Sequence, residues 1–310
     1  MKNRNLTFAG ICILVLSFFA VAVNLFADDV IKHKFLLLDE SRKQILFVDQ
    51  FDSKNDWVIK LTDGGVWDLQ LIGDHRLLVA LTDKGGFREY DLRTREVVRE
   101  VSDAKYKQTM TAIRFPDGKT LLGCNKSKAY QFYLLDADGK LISEVPAESK
   151  KKTIRVARRT SRGTILFGCN DEWVNEIDLT GKVLREFKVP GARHIYHVAE
   201  KADGNLLVAA GYGCFVAEYD KDNKEVRKLG VPVPDGLKFI FFSKMNPLKN
   251  GNLVVATWTG HGANDSNKGV QLVEFNSKGD VVWTWHNPKL AGSINNVIVL
   301  DDLDTSKFYE

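Results

Sequence analysis

Six apolar runs along the chain end in an acidic residue or asparagine, and the spacing of these ends limits the fold more than any other feature. The ends are Asp49, Asp91, Asp136, Asp178, Asp220 and Asn276, at intervals of 42, 45, 42, 42 and 56 residues. A period of about 40 to 50 residues suits the blade of a β-propeller and no common helical repeat. Each copy has the same internal order. A strand precedes a turn such as Pro116-Asp117-Gly118, Arg162-Gly163, Asp203-Gly204 or Asn250-Gly251, and an apolar strand follows it. The acid-ended strand comes next, then a turn such as Asp138-Gly139, Thr180-Gly181 or Lys278-Gly279, then an outer strand. Glycine turns between short β-branched runs are hairpin signals, so each repeat is expected to be a four-stranded antiparallel meander.

The two ends of the chain complete one another. From Phe35 to Leu61 only three strands can be read, and Ile294 to Leu300 supplies the missing innermost one. The expected fold is all-β: a six-bladed β-propeller whose last blade is closed by amino- and carboxy-terminal strands, which removes the exposed edge of an open array. One propeller domain is expected over residues 28–310, preceded by a signal segment at residues 1–27.

That first segment carries Lys2 and Arg4, an apolar run from Leu6 to Ala27, small residues at Ala20 and Ala22, and Asp28-Asp29. The pattern is that of a secretory signal, cleaved after Ala22 or Ala27. The alternative is an uncleaved anchor, since about 20 apolar residues span a bilayer. Either way the expected location is extracytoplasmic, periplasmic or secreted, with membrane contact only through an uncleaved segment. Cys12 lacks the small-residue box of a lipoprotein. Cys124, Cys169 and Cys214 remain, an odd number; the first two stand in near-identical contexts, Leu-Gly-Cys-Asn and Phe-Gly-Cys-Asn. Equivalent positions of neighbouring repeats lie too far apart for a bridge, so buried thiols are expected.

The chain has 44 Lys+Arg against 40 Asp+Glu, a formal charge of +4 that falls to +2 without Lys2 and Arg4. No nucleic-acid signature remains. The segment from Lys150 to Arg162 is locally basic, with seven Lys or Arg and no acid. It lacks the interleaved aromatics of a single-strand binder. Asp265 to Lys268 does not match a Ca²⁺ loop with its closing Glu, so no metal site is assigned. The sequons at Asn5 and Asn264 fall in the signal and in a surface loop. No hydrolase, metalloprotease, phosphate-loop or dinucleotide motif is present.

The turns between first and second and between third and fourth strands share one face and are short. The second-to-third connections, including Asn170 to Trp173, Gly211 to Gly213 and Gly260 to Gly269, share the other with blade-to-blade segments such as Gly191 to His194 and His286 to Pro288. This loop-rich face is the expected site of function. Alignment of the innermost strands places Trp67, Thr111, Arg155, Tyr196 and Ser243 at one level of the channel, with Thr153 and His194 nearer the mouth. A one-residue slip would substitute Asp68, His197 and Lys244. Asn295 and Asn296 come from the closing strand, and His261 and His286 from loops. Trp67, Arg155, His194, Tyr196, Lys244, His261, His286, Asn295 and Asn296 are therefore the candidate ligand-binding residues. A polar or anionic small ligand, a glycan or a protein is the expected partner.

Asp178-Leu179-Thr180-Gly181-Lys182-Val183 with Phe187, and Asn276-Ser277-Lys278-Gly279-Asp280-Val281-Val282-Trp283, resemble the repeat of quinoprotein-type propellers. His194-Ile195-Tyr196-His197 before Asp203-Gly204-Asn205-Leu206-Leu207, and Val281-Val282-Trp283-Thr284-Trp285, are similar to the arylsulfotransferase-type branch. The resemblance covers nearly all of the chain after the signal. It implies a six-bladed extracytoplasmic propeller in which a central histidine, His194 or His197, carries a sulfuryl group while Arg155 stabilises charge. Histidines on one inner strand only depart from that pattern. Quinone-dependent dehydrogenases are also similar, but their larger blade number and acidic metal cluster have no counterpart here, and the sequence requires no cofactor. The first expectation is thus a non-catalytic binding propeller, and the alternative is a group-transfer or hydrolytic enzyme acting on an anionic substrate in the channel.

Overall fold

Short apolar runs separated by glycine turns pair with their neighbours in the computed structural model as antiparallel strands, numbered β1 to β24 in chain order. The structure describes residues 30–62, 64–127, 129–146, 153–262 and 264–309. The segment read as an export signal, and Lys150, Lys151 and Lys152, lie outside the described residues.

The strands form six four-stranded sheets. Five are consecutive meanders whose innermost strands are β4 (Val66–Leu71), β8 (Thr109–Arg114), β12 (Ile154–Arg159), β16 (His197–Glu200) and β20 (Phe242–Pro247). The sixth is built from β24 (Ile294–Val299), β1 (Lys34–Asp39), β2 (Gln44–Asp49) and β3 (Trp57–Lys60), in that order. Phe35 pairs with Val299 and Leu37 with Val297, so the closing strand is the one read from the sequence. No helix among the described residues is long and apolar enough to cross a membrane.

Burial follows radial position. β5 (Arg76–Leu81) lies between sheets and is buried at every position but its first, whereas the rim strand β7 (Val97–Val101) has no buried residue. Sheets stack closely at Gly168, where an added Cβ would lie 2.1 Å from the Ile195 side chain of the next blade. Gly123 is the equivalent position one blade earlier and meets Ile154 in the same way. This accounts for the repeated Gly-Cys pair. Cys124 and Cys169 are buried free thiols; Cys214, also expected to be buried, is partly exposed because it sits in the turn after Gly213.

The recurring acidic residue is a turn cap. Asp136 Oδ1 accepts from the Asp138 N–H at 2.9 Å and the Lys140 N–H at 2.8 Å. Asp178 and Asp220 accept from the equivalent amides two and four residues on, and so does Asn276. An amide oxygen serves as well as a carboxylate, which explains the asparagine in the last copy. Asp136→Ala is expected to cost about 1 to 2 kcal/mol, the worth of two hydrogen bonds, and Asp136→Asn much less. Urea unfolding of both variants checks this, and equal losses would contradict it.

A second recurrence lies two residues before the cap. Glu89, Glu176, Glu218 and Glu274 are buried there, and each takes a cation or amide from its own blade or the next. Arg114 reaches Glu89 at 2.7 Å, Arg162 reaches Glu176 at 2.7 Å, and Lys201 reaches Glu218 at 2.6 Å. At the closure, His33 bridges Glu274 (2.9 Å) and Asp301 (2.5 Å).

Candidate functional site

Five innermost strands carry one extra residue relative to their partners. Between Val66 and Leu69, β4 advances three residues while its partner advances two, from Leu81 to Val79. The same count occurs in β12 and β20, and a two-against-one step occurs in β8 and in β24. A β-bulge re-aims side chains at the point where it sits. The two alternative inner-strand registers are therefore both realised: Trp67 faces the channel mouth and its neighbour Asp68 the channel interior.

The mouth at the loop-rich end holds a small cavity of about 50 Å³, lined by Trp67, Arg155, His194, Tyr196, Asn295 and His261 together with Tyr212, Phe241 and Trp258. Arg155 is half-buried, and its guanidinium lies over the Trp67 ring at 5.6 Å. It makes no ion pair or hydrogen bond with the described residues. Burial pulls its pKa down, against the electrostatic influence of Tyr196, Tyr212 and Glu40. An arginine stays charged in proteins, so this is a desolvated cation without an ion-pair partner. Asn295 beside it is 1% exposed, and neither its Oδ1 nor its Nδ2 has a partner. Buried side-chain amides ordinarily have partners, so both groups are poised for a polar guest.

His194 has a positive φ of 59° and stacks edgewise on Tyr212 at 5.4 Å. Burial and the nearby Arg155 and Arg193 lower its pKa, so its ring is neutral at pH 7. His261 is mostly exposed; its Nδ1 meets Glu40 at 2.7 Å, and its ring lies 4.6 Å from Trp258. Trp258 Nε1 donates to the other Glu40 oxygen at 2.6 Å. Behind the mouth, Val156, Tyr196 and Phe241 pack with Trp67 and Trp258 into a small apolar plug.

The other expected residues lie elsewhere. Asp68 is 1% exposed and receives Arg158 in bidentate fashion at 2.7 and 2.6 Å, with the Thr111 hydroxyl at 2.6 Å. Burial would raise its carboxyl pKa, but Arg158, Lys244 and Thr111 hold it below the usual range. Lys244 is a floor residue of the channel rather than part of the mouth, and its ammonium donates to the Leu69 carbonyl at 2.7 Å. Asn296 is buried against Trp67 and Asp68, while its Oδ1 has no partner. His197 lies deep in the channel, 3% exposed. His286 does not join the group: it is exposed after β23 (Val281–Trp285), and the flanking segment instead carries Gln271 and Asn287 contacts.

The described arginines of the basic segment are dispersed rather than gathered into a patch. Arg155 serves the mouth, Arg158 pairs with Asp68, Arg159 covers the Phe115 ring at 5.6 Å, and Arg162 joins Glu176 and Glu200. The larger cavity, about 470 Å³, opens at the tight-turn end, which the sequence reading set aside. It is lined mostly by strand ends, with Ser161 and Ala202 from the turns and Leu303 and Tyr309 from the segment after β24, so turn lengths carried little signal of it. No group of three or more His, Cys, Asp or Glu among the described residues is arranged to hold a metal ion.

No protein-family model and no curated protein matches the chain. Solved structures do. A Bacteroides caccae protein of unknown function superposes with a TM-score of 0.74 at 21% identity, covering 88% of this chain and 100% of its own. A streptogramin B lyase gives 0.61 at 15% identity, over 82% of this chain and 80% of the lyase. A catalytically inactive virginiamycin B lyase from Staphylococcus aureus, solved with quinupristin, gives 0.58 at 13% identity, over 83% and 85%. The likeness is one of fold. At these identities the likeness shows the propeller fold alone.

Proposed function

We propose that the protein is an exported binding propeller whose loop-rich mouth captures an anionic group carried by a larger ligand. The observation that carries this reading is Arg155, a desolvated cation with no ion-pair partner among the described residues, beside the unpartnered amide of Asn295. A cavity of about 50 Å³ admits a sulfate or carboxylate but not a whole aryl or glycosyl body. The body would rest on the aromatic rim formed by Tyr212 and Trp258. Export follows from the amino-terminal signal pattern.

Titration with 4-nitrophenyl sulfate tests the reading. Arg155→Ala is expected to weaken binding about 10- to 100-fold, the worth of a charge-assisted hydrogen bond. Arg155→Lys should fall between, because it keeps the charge and loses the planar fork. Equal affinity of the wild type and Arg155→Ala would overturn the assignment. One observation supports a second reading, group transfer: the neutral His194 imidazole lies in the same cavity as Arg155. Release of 4-nitrophenol that disappears in His194→Ala while binding persists would favour that reading over capture alone.

A further inference from the structure

The cavity at the tight-turn end has a chemistry of its own. Arg158 lies three residues beyond Arg155 on β12, about 10 Å along an extended strand, and on the other side of the apolar plug. The floor is made by consecutive inner strands: Arg158 from β12, His197 from β16 and Lys244 from β20 all line it. Its walls are apolar, supplied by Leu69, Leu71, Ala199, Met245, Ile298 and Leu303.

The hydrogen bonds of the floor leave donors over. His197 Nδ1 accepts the Met245 backbone N–H at 3.2 Å, so the proton of the neutral ring resides on Nε2. That Nε2 is buried and has no partner. Lys244 Nζ uses one hydrogen on the Leu69 carbonyl and stands 4.0 Å from Asp68. Asp68 is itself saturated by Arg158 and Thr111. At the rim, Glu200 is engaged by the Ser161 amide and Arg162, and Lys201 by Asp203 and Glu218. Burial and Arg158 hold the Lys244 pKa well below its ordinary range, and Arg158 and Asp68 cancel, so the floor offers spare N–H donors with little net charge, while Arg159 lines the same cavity and covers the Phe115 ring.

We infer that this cavity is a second binding site, for a small monocarboxylate with an apolar body, whose carboxylate meets His197 Nε2–H and Lys244 while the body lies on the leucine and methionine walls. A volume of about 470 Å³ is within the range of small-molecule pockets, roughly 300 to 1,000 Å³. Excess donors on the floor call for an acceptor, and the apolar walls match a monocarboxylate with a hydrocarbon body better than a phosphate dianion. The site is independent of the mouth, because none of these floor and wall residues lines the Arg155 cavity.

Calorimetric titration at pH 7 with hexanoate, hexanol and inorganic phosphate tests it. Hexanoate is expected to bind at least tenfold more tightly than hexanol or phosphate. Lys244→Met should reduce hexanoate affinity at this site at least tenfold, and Arg155→Ala should remove only a separate mouth component and leave the affinity of this site unchanged. If Lys244→Met fails to fold, Ala199→Leu, which fills the cavity from a half-buried wall position, is read instead and should block hexanoate. No measurable hexanoate binding, equal binding of hexanoate and hexanol, binding unaffected by Lys244→Met or Ala199→Leu, or loss of binding in Arg155→Ala would each overturn the proposal. The last outcome would place the carboxylate at the mouth; failure of the hexanoate arm with 4-nitrophenyl sulfate still bound would leave the mouth reading intact.

Discussion

Asp68→Ala should cost about 3 to 5 kcal/mol, the loss that follows when one partner of a buried ion pair is removed. The carboxylate is 1% exposed and is the acceptor for both terminal nitrogens of Arg158 as well as the Thr111 hydroxyl. Without it, Arg158 is a largely buried cation with no counter-charge, beside Lys244, in a channel that β4, β12, β20 and β24 converge upon. The loss would take a large share of the stability of a typical domain, about 5 to 15 kcal/mol. Most of the penalty lies in the stranded arginine, so Asp68→Ala with Arg158→Met should recover a substantial part of it. Urea unfolding of the single and double variants reads both quantities. A loss below about 1 kcal/mol for Asp68→Ala, or strict additivity in the double variant, would show that the pair does not organise the channel.

Raising the pH from 6.5 to 9 should remove the stabilising contribution of one side chain at the ring closure, His33. Burial alone would lower the His33 pKa, but hydrogen bonds and charge from Asp301 and Glu274 raise it to about 9 from an ordinary 6.5. A folded-state pKa above the unfolded one means that the contribution is fully present below about pH 6.5 and declines as pH rises through 9. The difference corresponds to about 3 kcal/mol at about 1.36 kcal/mol per unit. His194 and His197 are shifted downward and titrate below this window. His33→Gln should lower stability at pH 6 and flatten the decline toward pH 9. A variant with the wild-type pH profile would show that His33 does not carry it.

The blade count and the closing strand were legible because each blade needs an acceptor at the end of its third strand, and that need leaves Asp or Asn at a nearly constant interval. The buried glutamates stand two residues earlier, at Glu89, Glu176, Glu218 and Glu274, where a polar residue in a strand carries no sign of its burial. The mouth was partly legible: Trp67, Arg155, His194, Tyr196, His261 and Asn295 meet there. Its aromatic wall was not, because Tyr212, Phe241 and Trp258 come from three connections whose convergence depends on the ring. The bulges were invisible, since a bulge is a property of pairing and not of any residue. They explain why a single-register alignment could not assign Trp67 and Asp68, or Asn295 and Asn296, to one level. The tight-turn cavity was missed because the turns were judged by their length, while the strand ends beneath them form its walls.

The closure also sets an order of events during synthesis. β1 and β2 leave the ribosome early, yet the strand that covers the inner edge of β1 is β24, about 250 residues later. At about 5 to 20 residues per second, that edge stays unpaired for on the order of tens of seconds. Its residues Phe35 to Leu38 are wholly apolar and fully buried once the ring is complete. The nascent chain therefore carries a sticky, half-finished blade throughout its elongation, and guarding Phe35 to Leu38 is a task for whatever binds it before β24 emerges.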